Sequence, residues 1–209
     1  MNDEFIDYDF IEIGTCDFDT LVEKSEESAV GICVEPILDY LDNLPHRKNV
    51  KKINKAISFD NQEGYVDFYY IPEHILLENK LNPGLKGCNS VNGYHPHHLK
   101  KKITHLVKIH RVEQIKIETL LRENLVRKIQ HLKIDTEGGD CFILKNLYDY
   151  LKIRDNIFYP EKITFETNML TEYQTIVDTI DLYSTIGYKV LSKNDFIKDG
   201  NTVLIKETL

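Results

Sequence analysis

Residues 10–36 read FIEIGTCDFDTLVEKSEESAVGICVEP, and this stretch decides the fold class. It contains two short apolar runs, at 10–13 and 30–34, each of which ends at a turn, as buried strands do. Between these runs, Asp17 or Asp19 could cap a short helix. Continuous apolar strands separated by helices are typical of parallel sheets that are covered on both faces. The stretch therefore predicts an α/β fold.

The alternation of strands and helices continues to the end of the chain. Further strands are predicted at residues 50–58, 65–71, 114–117, 131–135, 162–166, 188–191 and 202–206. Helices are predicted after several of them, including one that extends to about residue 128 and two with apolar residues at helical spacing over 144–151 and 173–183. The strand at 65–71 should form a hairpin across 61–64. The last two strands should pair antiparallel across a turn at 198–201.

Turn-forming residues are concentrated between 72 and 102, a segment that contains Asn82-Pro83-Gly84 and Gly93. We interpret this segment as an insertion that carries substrate specificity, since loops over the carboxyl edge of a sheet usually do so. The chain has 209 residues, of which 42% are apolar, a size and composition that fit one domain over 1–209.

The charge and the apolar pattern exclude several classes of partner. Acidic residues outnumber basic ones, 34 against 26, which gives a net charge of −8 and disfavours non-specific binding to nucleic acid or to an anionic membrane. No apolar run approaches the roughly 20 residues that cross a bilayer. The acidic start at 1–4 lacks the features of a signal peptide, and the four cysteines are isolated in the sequence. We therefore expect a cytoplasmic location, and no feature predicts an oligomeric state.

Three acidic residues stand at the ends of predicted strands: Glu35, Asp135 and Glu166. In an open α/β sheet, ligands bind in the crevice outside the carboxyl ends of the strands. Glu35 also follows Gly14 by 21 residues. A separation of about 20 residues is typical between a glycine turn and an acid that binds ribose hydroxyls. The sequence therefore predicts a nucleoside site at this edge.

The first loop, residues 14–19, argues against a dinucleotide. It lacks the second and third glycines of the G-x-G-x-x-G pattern, and it places Asp17 and Asp19 where a pyrophosphate would need neutral backbone. An acidic loop suits a ligand with a positive end, and S-adenosylmethionine carries both a sulfonium and an α-amino group. The alternative is that both aspartates serve only as helix N-caps.

Six segments occur together in an order and spacing that resemble the FkbM-type S-adenosylmethionine-dependent methyltransferases: FIEIGTCDFDT, GICVEP, KINKAIS, LKIDTEGGDCFILKNL, ITFET and IGYKVL. The resemblance extends from about Phe10 to Lys206. Its most specific part is KIDTEGGD at 133–140, which is similar to the family's K-I-D-x-E-G-x-E/D signature. The opening motif is looser, with Cys16 and Phe18 where that family usually has asparagine and glycine.

The resemblance implies a Rossmann-like class I methyltransferase fold, with a mostly parallel seven-stranded sheet, an antiparallel last strand and helices on both faces. It also implies S-adenosyl-L-methionine as the cofactor and the O-methylation of a hydroxyl, for which we expect a carbohydrate or sugar-containing acceptor. By position, Glu12 and Gly14 would lie beside the methionine portion, Glu35 at the ribose, and Ala56 and Ile57 near the adenine. The full cofactor set is Glu12, Gly14, Thr15, Asp17, Glu35, Pro36, Ala56, Ile57 and Asp135.

Two carboxylates are candidates for catalysis. Removal of the proton from a sugar-like hydroxyl requires a general base, and Asp135 is the first candidate because the resemblance places it at the catalytic end of the crevice. Glu137 could raise the pKa of Asp135 by like-charge repulsion, or the two carboxylates could hold a divalent cation. The alternative for Asp135 is that it only caps the next helix. We assign no metal site.

The acceptor is expected to contact the insertion and the end of a neighbouring strand, through Asn89, His95, His97 and Glu166. Metal binding by the histidines of the loop at 93–98 is disfavoured, because no Cys, Asp or Glu stands beside them. The expected partner is a small-molecule or glycan acceptor. The alternatives are methylation of a nucleic-acid ribose, and a non-catalytic binding module on the same fold.

Overall fold

The computed structural model describes residues 5–91, 93–154, 158–192 and 200–207. In chain order, the strands and α-helices are β1 (Ile6–Ile13), α1 (Leu21–Lys24), β2 (Gly31–Val34), α2 (Leu38–Asn43), β3 (Val50–Ile53), β4 (Ala56–Ile57), β5 (Gly64–Tyr70), α3 (Glu73–Glu78), β6 (Ser90–Val91), α4 (Pro96–Lys100), β7 (Lys108–Ile115), α5 (Ile117–Glu123), β8 (Val126–Ile134), α6 (Asp140–Leu151), β9 (Lys162–Glu166), α7 (Tyr173–Ser184), β10 (Tyr188–Ser192) and β11 (Asn201–Lys206).

Seven strands of the described residues form the larger sheet, in the order β10-β11-β9-β8-β1-β2-β3. β1 is parallel to β2 and β8, and the parallel pairing continues from β2 to β3 and from β8 to β9. β11, the last strand in the chain, is antiparallel to both β9 and β10. The predicted α/β class and the mostly parallel sheet are therefore confirmed.

Side chains alternate between the two faces of the larger sheet, so that each face builds its own core. On one face, Ile11 of β1 and Leu132 of β8 belong to a core that includes residues of α5, α6 and α7. On the other face, Phe10 packs with Val22 of α1 and Leu41 of α2. The helices thus lie on both faces, as expected. None of the helices in the described ranges combines the length and apolarity that crossing a membrane requires.

A second sheet, in the order β4-β7-β5-β6, was not predicted. The predicted strand at 50–58 is two strands, because the chain leaves the larger sheet after β3 and enters the second sheet at β4. The break occurs at Asn54, whose side-chain amide donates to the carbonyl oxygens of Glu35 and Pro36 at 2.9 Å each. The predicted hairpin across 61–64 is wrong, because β5 pairs with β7 and β6 instead.

Two boundaries near the second sheet also differ from the prediction. β7 begins at Lys108 rather than at 114, because its whole length pairs with β5. The helix expected to extend to about 128 ends at Glu123, since Leu125 adopts a left-handed backbone conformation with φ of 51°. β8 consequently begins at Val126 and is longer than the strand predicted at 131–135.

The segment at 72–102, interpreted as an insertion, contains α3, β6 and α4 together with a 3-10 helix at Pro83–Gly87. A small core joins this segment to its flanks and is formed by Ile71, Leu76, Leu85 and Ile103. The acidic start at 1–4 lies outside the described residues, and so do residues 198 and 199 of the predicted final turn.

The end of β1 is fixed by a close backbone approach at Gly14. The amide of Gly14 donates to the carbonyl of Val34 on β2, and the amide of Asp135 donates to the carbonyl of Ile13, both at 2.9 Å. Gly14 has a φ of 78°, and a Cβ at this position would lie 1.9 Å from the carbonyl oxygen of Asp135. Only glycine fits here, and the ends of β1, β2 and β8 are held at one edge of the sheet.

Gly14→Ala should therefore lower the free energy of unfolding by about 2–5 kcal/mol, because it combines an unfavourable φ with a backbone collision. Gly187→Ala is the matched control. Gly187 has a similar φ of 83°, but its Cβ would meet only the flexible end of Lys206. The control should lose about 1–2 kcal/mol. Urea unfolding measures both values, and equal losses would contradict the close approach.

Candidate functional site

A cleft of about 1010 Å³, a volume that includes space open to solvent, lies at the carboxyl ends of β1, β2, β8 and β9, between the larger sheet and the second sheet. The strand-end acids Glu35, Asp135 and Glu166 all line it. The predicted site residues that line the cleft are Gly14, Thr15, Glu35, Pro36, Ala56, Ile57, Asn89, Asp135, Glu137 and Glu166. The structure thus brings together most of the residues that the sequence singled out.

Glu35 is held rigidly at the end of β2. One of its carboxylate oxygens accepts a hydrogen bond from the amide of Cys16 at 2.8 Å, and the other accepts from the amide of Ile37 at 3.0 Å. Burial raises the pKa of Glu35 to about 7, although these two amide donors oppose the rise. A ligand that donates hydrogen bonds to this carboxylate would favour its ionised form.

Glu12 does not line the cleft. Its side chain is fully buried beneath the floor, where it accepts from Lys133 Nζ at 2.8 Å and from the amide of Leu21 at 2.7 Å. Burial raises the pKa of Glu12, while the ammonium of Lys133 opposes that rise. Glu12 therefore supports the cleft through Lys133, which does line it. In this position, Glu12 does not make the predicted direct contact with a ligand in the cleft.

Asp17 also lies away from the cleft. Its carboxylate pairs with Lys86 Nζ at 2.7 Å and accepts from the side-chain amide of Asn43 at 3.0 Å. Neither Asp17 nor Asp19 caps α1, because Thr20 and Glu23 form a capping box there. Asp19 lines the cleft instead. Asp17 thus joins the first loop to the insertion.

The turn after β8 is organised by Asp140 rather than by Asp135. Asp140 is completely buried, and it accepts from the amides of Thr136 and Glu166 at 2.8 Å each. Burial, together with the nearby Asp135, raises its pKa to about 6. The N-cap of α6 is Gly139, so the alternative role of Asp135 as the helix cap is wrong.

Asp135 itself faces the cleft with a side chain that is 34% exposed. Burial raises its pKa, and the ammonium of Lys133, 4.0 Å away, opposes the rise. This environment favours the protonated form of Asp135 more than solvent does.

Glu166 completes the acidic end of the cleft. Burial raises its pKa to about 9, and the neighbouring carboxylates of Glu137, Asp135 and Asp140 contribute to the rise. Its Oε2 atom is buried and has no hydrogen-bond partner among the described residues. Glu166 is therefore protonated at neutral pH and can donate a hydrogen bond to a ligand.

The insertion contributes Asn89 directly and two histidines indirectly. Asn89 lines the cleft, is 8% exposed, and has an Oδ1 atom without a partner among the described residues. His95 does not line the cleft, because its ring is buried behind Glu137. His97 is also not among the lining residues, and its ring stacks on that of His95. The predicted acceptor contacts of these two histidines stay predictions.

Several lining residues were missed by the sequence reasoning, notably Lys55, Phe59, Phe68 and Lys133. Phe68 reaches the cleft only because β5 belongs to the second sheet. The ring of Phe59 packs so closely on Gly139 that a Cβ there would lie 2.0 Å from it. Lys133 could have been found, because it interrupts an apolar strand opposite Glu12.

Within the ranges 5–91, 93–154, 158–192 and 200–207, no group of three or more His, Cys, Asp or Glu side chains is arranged to hold a metal ion.

The cleft and its strand-end acids agree with a comparison of the whole sequence. Residues 12–190 match a family model described as the methyltransferase FkbM domain. The chain belongs to the FkbM methyltransferase family. The matched region contains every lining residue described above, and membership supports a methyltransferase activity. No curated protein matches the chain.

The raised pKa of Glu166 predicts how stability depends on pH. The folded state keeps this proton up to about pH 9, whereas the unfolded state releases it above about pH 4.3. Raising the pH from 5 to 9 should therefore lower the free energy of unfolding. Glu166→Gln should lose less stability over this interval in urea unfolding. The exposed Glu78→Gln on α3 serves as the control and should follow the wild type. Identical pH profiles for all three proteins would contradict the protonation of Glu166.

Proposed function

We propose that this FkbM-family protein is an S-adenosyl-L-methionine-dependent O-methyltransferase that acts on a hydroxyl of a carbohydrate or sugar-containing acceptor, with a Rossmann-like class I methyltransferase sheet as its scaffold. The observation that carries the proposal is the convergence of Gly14, Glu35 and Asp135 in one cleft. Family membership supports methyl transfer, and the cleft supports the cofactor and the class of acceptor.

The residues of the cleft fit the nucleoside part of the cofactor. Glu35 has both carboxylate oxygens fixed by backbone amides, and a carboxylate has further lone-pair capacity for a ribose hydroxyl. Ala56 and Ile57 of β4 offer an apolar wall, and Phe59 and Phe68 add aromatic surface for an adenine ring. A nucleoside needs both features, an acid for its ribose hydroxyls and an apolar surface for its base.

The charge of the cleft fits the cationic end of the cofactor. Five acidic side chains line it, of which Glu166 is protonated, against two basic ones, Lys55 and Lys133. Lys133 forms an ion pair with Glu12, which is buried beneath the cleft, so Lys133 adds little net positive charge to the cleft. Asp19, Asp135 and Glu137 lie among the five acids. This balance favours a ligand with a sulfonium and an ammonium over one with a pyrophosphate.

When bound, S-adenosyl-L-methionine supplies a methyl group on a sulfonium, whose leaving thioether is neutral. The work that remains for the chain is to align the acceptor hydroxyl and to remove its proton. Asp135 and Glu137 are the carboxylates in the cleft that can take this proton. The protonated Glu166 can donate a hydrogen bond to the acceptor, and so it orients the hydroxyl rather than deprotonating it.

Two orphaned polar atoms support an acceptor with several hydroxyl groups. Asn89 Oδ1 and Glu166 Oε2 are buried at the cleft and have no hydrogen-bond partner among the described residues, a situation that costs free energy unless a ligand completes the hydrogen bonds. A sugar presents adjacent groups that both donate and accept. We also propose a cytoplasmic location, which rests on the sequence alone.

Isothermal titration with S-adenosyl-L-methionine and with S-adenosylhomocysteine tests the cofactor. We expect micromolar binding to the wild type, and Glu35→Gln should lose about 1–3 kcal/mol of binding free energy because it removes charge-assisted hydrogen bonds. Glu78→Gln is the matched control and should bind as the wild type does. The absence of binding at millimolar ligand would favour a non-catalytic module on this fold.

The acceptor class is tested by the release of S-adenosylhomocysteine in the presence of a panel of methyl glycosides, with a short single-stranded RNA as the comparison. Release that depends on a glycoside supports the proposal. Release that depends only on RNA, and that falls with salt, would replace the carbohydrate acceptor by a nucleic-acid ribose.

A further inference from the structure

His95 occupies an unusual position for a histidine in a turn-rich segment. It is 1% exposed, although it stands at the start of α4 between two exposed residues. The ring of His97 stacks on it at 5.3 Å, and the ring of His98 meets it edge-on at 5.7 Å. These contacts fix the plane of the imidazole, so that both ring nitrogens point in defined directions.

The first nitrogen of His95 is used by the backbone. His95 is the N-cap residue of α4, and its Nδ1 accepts a hydrogen bond from the amide of His97 at 3.2 Å. A backbone amide can only donate, so Nδ1 must carry a lone pair. The ring is then neutral and its proton is on Nε2, in agreement with the effect of burial, which lowers the pKa of His95.

The second nitrogen of His95 faces the cleft wall. Nε2 lies 3.2 Å from Oε2 of Glu137, and with its proton it donates to that carboxylate. Glu137 lines the cleft with a side chain that is 22% exposed. Glu137 has a φ of 55°, in the left-handed region that non-glycine residues rarely adopt. Backbone strain of this kind persists where the surrounding structure over-determines the conformation.

We propose that His95 is a positioning residue, which holds the carboxylate of Glu137 in the cleft as the base for the acceptor hydroxyl. The proposal rests on the proposed methyl transfer and assigns the base within it. Asp135 is then left beside Lys133, and Glu166 remains the hydrogen-bond donor. The contact joins the insertion to the turn after β8, so folding of α4 and placement of the base depend on one imidazole.

The proton and electron balance of the step is simple. The acceptor O–H bond breaks, and its proton passes to a carboxylate oxygen of Glu137. The electron pair on the acceptor oxygen forms the new bond to the methyl carbon. The carbon–sulfur pair leaves with sulfur, which changes from a sulfonium to a neutral thioether. Glu137 then releases the proton to water, and His95 stays neutral throughout because its Nε2–H only donates.

The first test reads the ring directly and needs no acceptor. The imidazole nitrogen resonances of 15N-labelled protein should show His95 protonated on Nε2 and unprotonated on Nδ1. Glu137→Gln should shift the Nε2 resonance while the Nδ1 resonance stays in place. A proton on Nδ1, or an Nε2 resonance that does not respond to Glu137→Gln, would overturn the proposal.

The second test separates the roles of the two ring nitrogens of His95 with two substitutions. His95→Asn keeps an oxygen near the position of Nδ1, so it can still cap α4, but it cannot reach Glu137. His95→Gln places an amide near the position of Nε2 and loses the cap. His74→Asn, at an exposed histidine of α3, is the matched control. In thermal unfolding, His95→Gln should therefore have a lower melting temperature than His95→Asn.

Turnover should follow the opposite order. With the methyl glycoside that supports release of S-adenosylhomocysteine, His95→Asn should lower kcat about 10²-fold with little change in the KM for S-adenosyl-L-methionine, since misplacement of a catalytic group costs about this much. His95→Gln should recover part of the loss, and His74→Asn should be unaffected. Wild-type kcat in His95→Asn would overturn the proposal. If no cofactor binds at all, the methyl-transfer function fails, whereas the ring spectrum still decides the contact.

Discussion

The close approach of Gly14 to the carbonyl of Asp135 is the constraint on which the rest of the structure depends. It fixes the ends of β1 and β8 against each other. The hydrogen bond from the amide of Gly14 to the carbonyl of Val34 holds the end of β2 at the same edge. Because parallel strands deliver their carboxyl ends to one side, the acids that follow β2, β8 and β9 meet there. The chemistry of the cleft is thus a consequence of strand register.

The second sheet and the insertion convert this edge into an enclosed site. β4 and β5 bring Ala56, Ile57 and Phe68 to the lining of the cleft, the insertion adds Asn89, and His95 contacts Glu137 from behind the lining. The lining thus combines apolar and acidic side chains, which can select different parts of a ligand. A nucleoside with a cationic tail satisfies both.

The sequence predicted the larger sheet well, because the patterns that mark its strands are short and local in the chain. Each apolar run, together with the acid that follows it, marks a buried strand and its exposed end, which placed Gly14, Glu35 and Asp135 correctly in one cleft. The second sheet could not be predicted, since the paired residues of β5 and β7 lie 38 to 50 positions apart in the chain. The burial of individual side chains could not be predicted either. Glu12 is buried beneath the cleft by its contact with Lys133, and His95 is buried behind Glu137, and both partners are distant in the chain.

A crystal structure with S-adenosylhomocysteine bound would show whether the acids at the strand ends form the cofactor site. We expect the ribose hydroxyls on Glu35, the adenine against Ala56 and Ile57, and the sulfur directed toward the acids that follow β8. A ligand bound elsewhere on the molecule, or one in the cleft with its ribose turned away from Glu35, would show that the strand-end acids have another role.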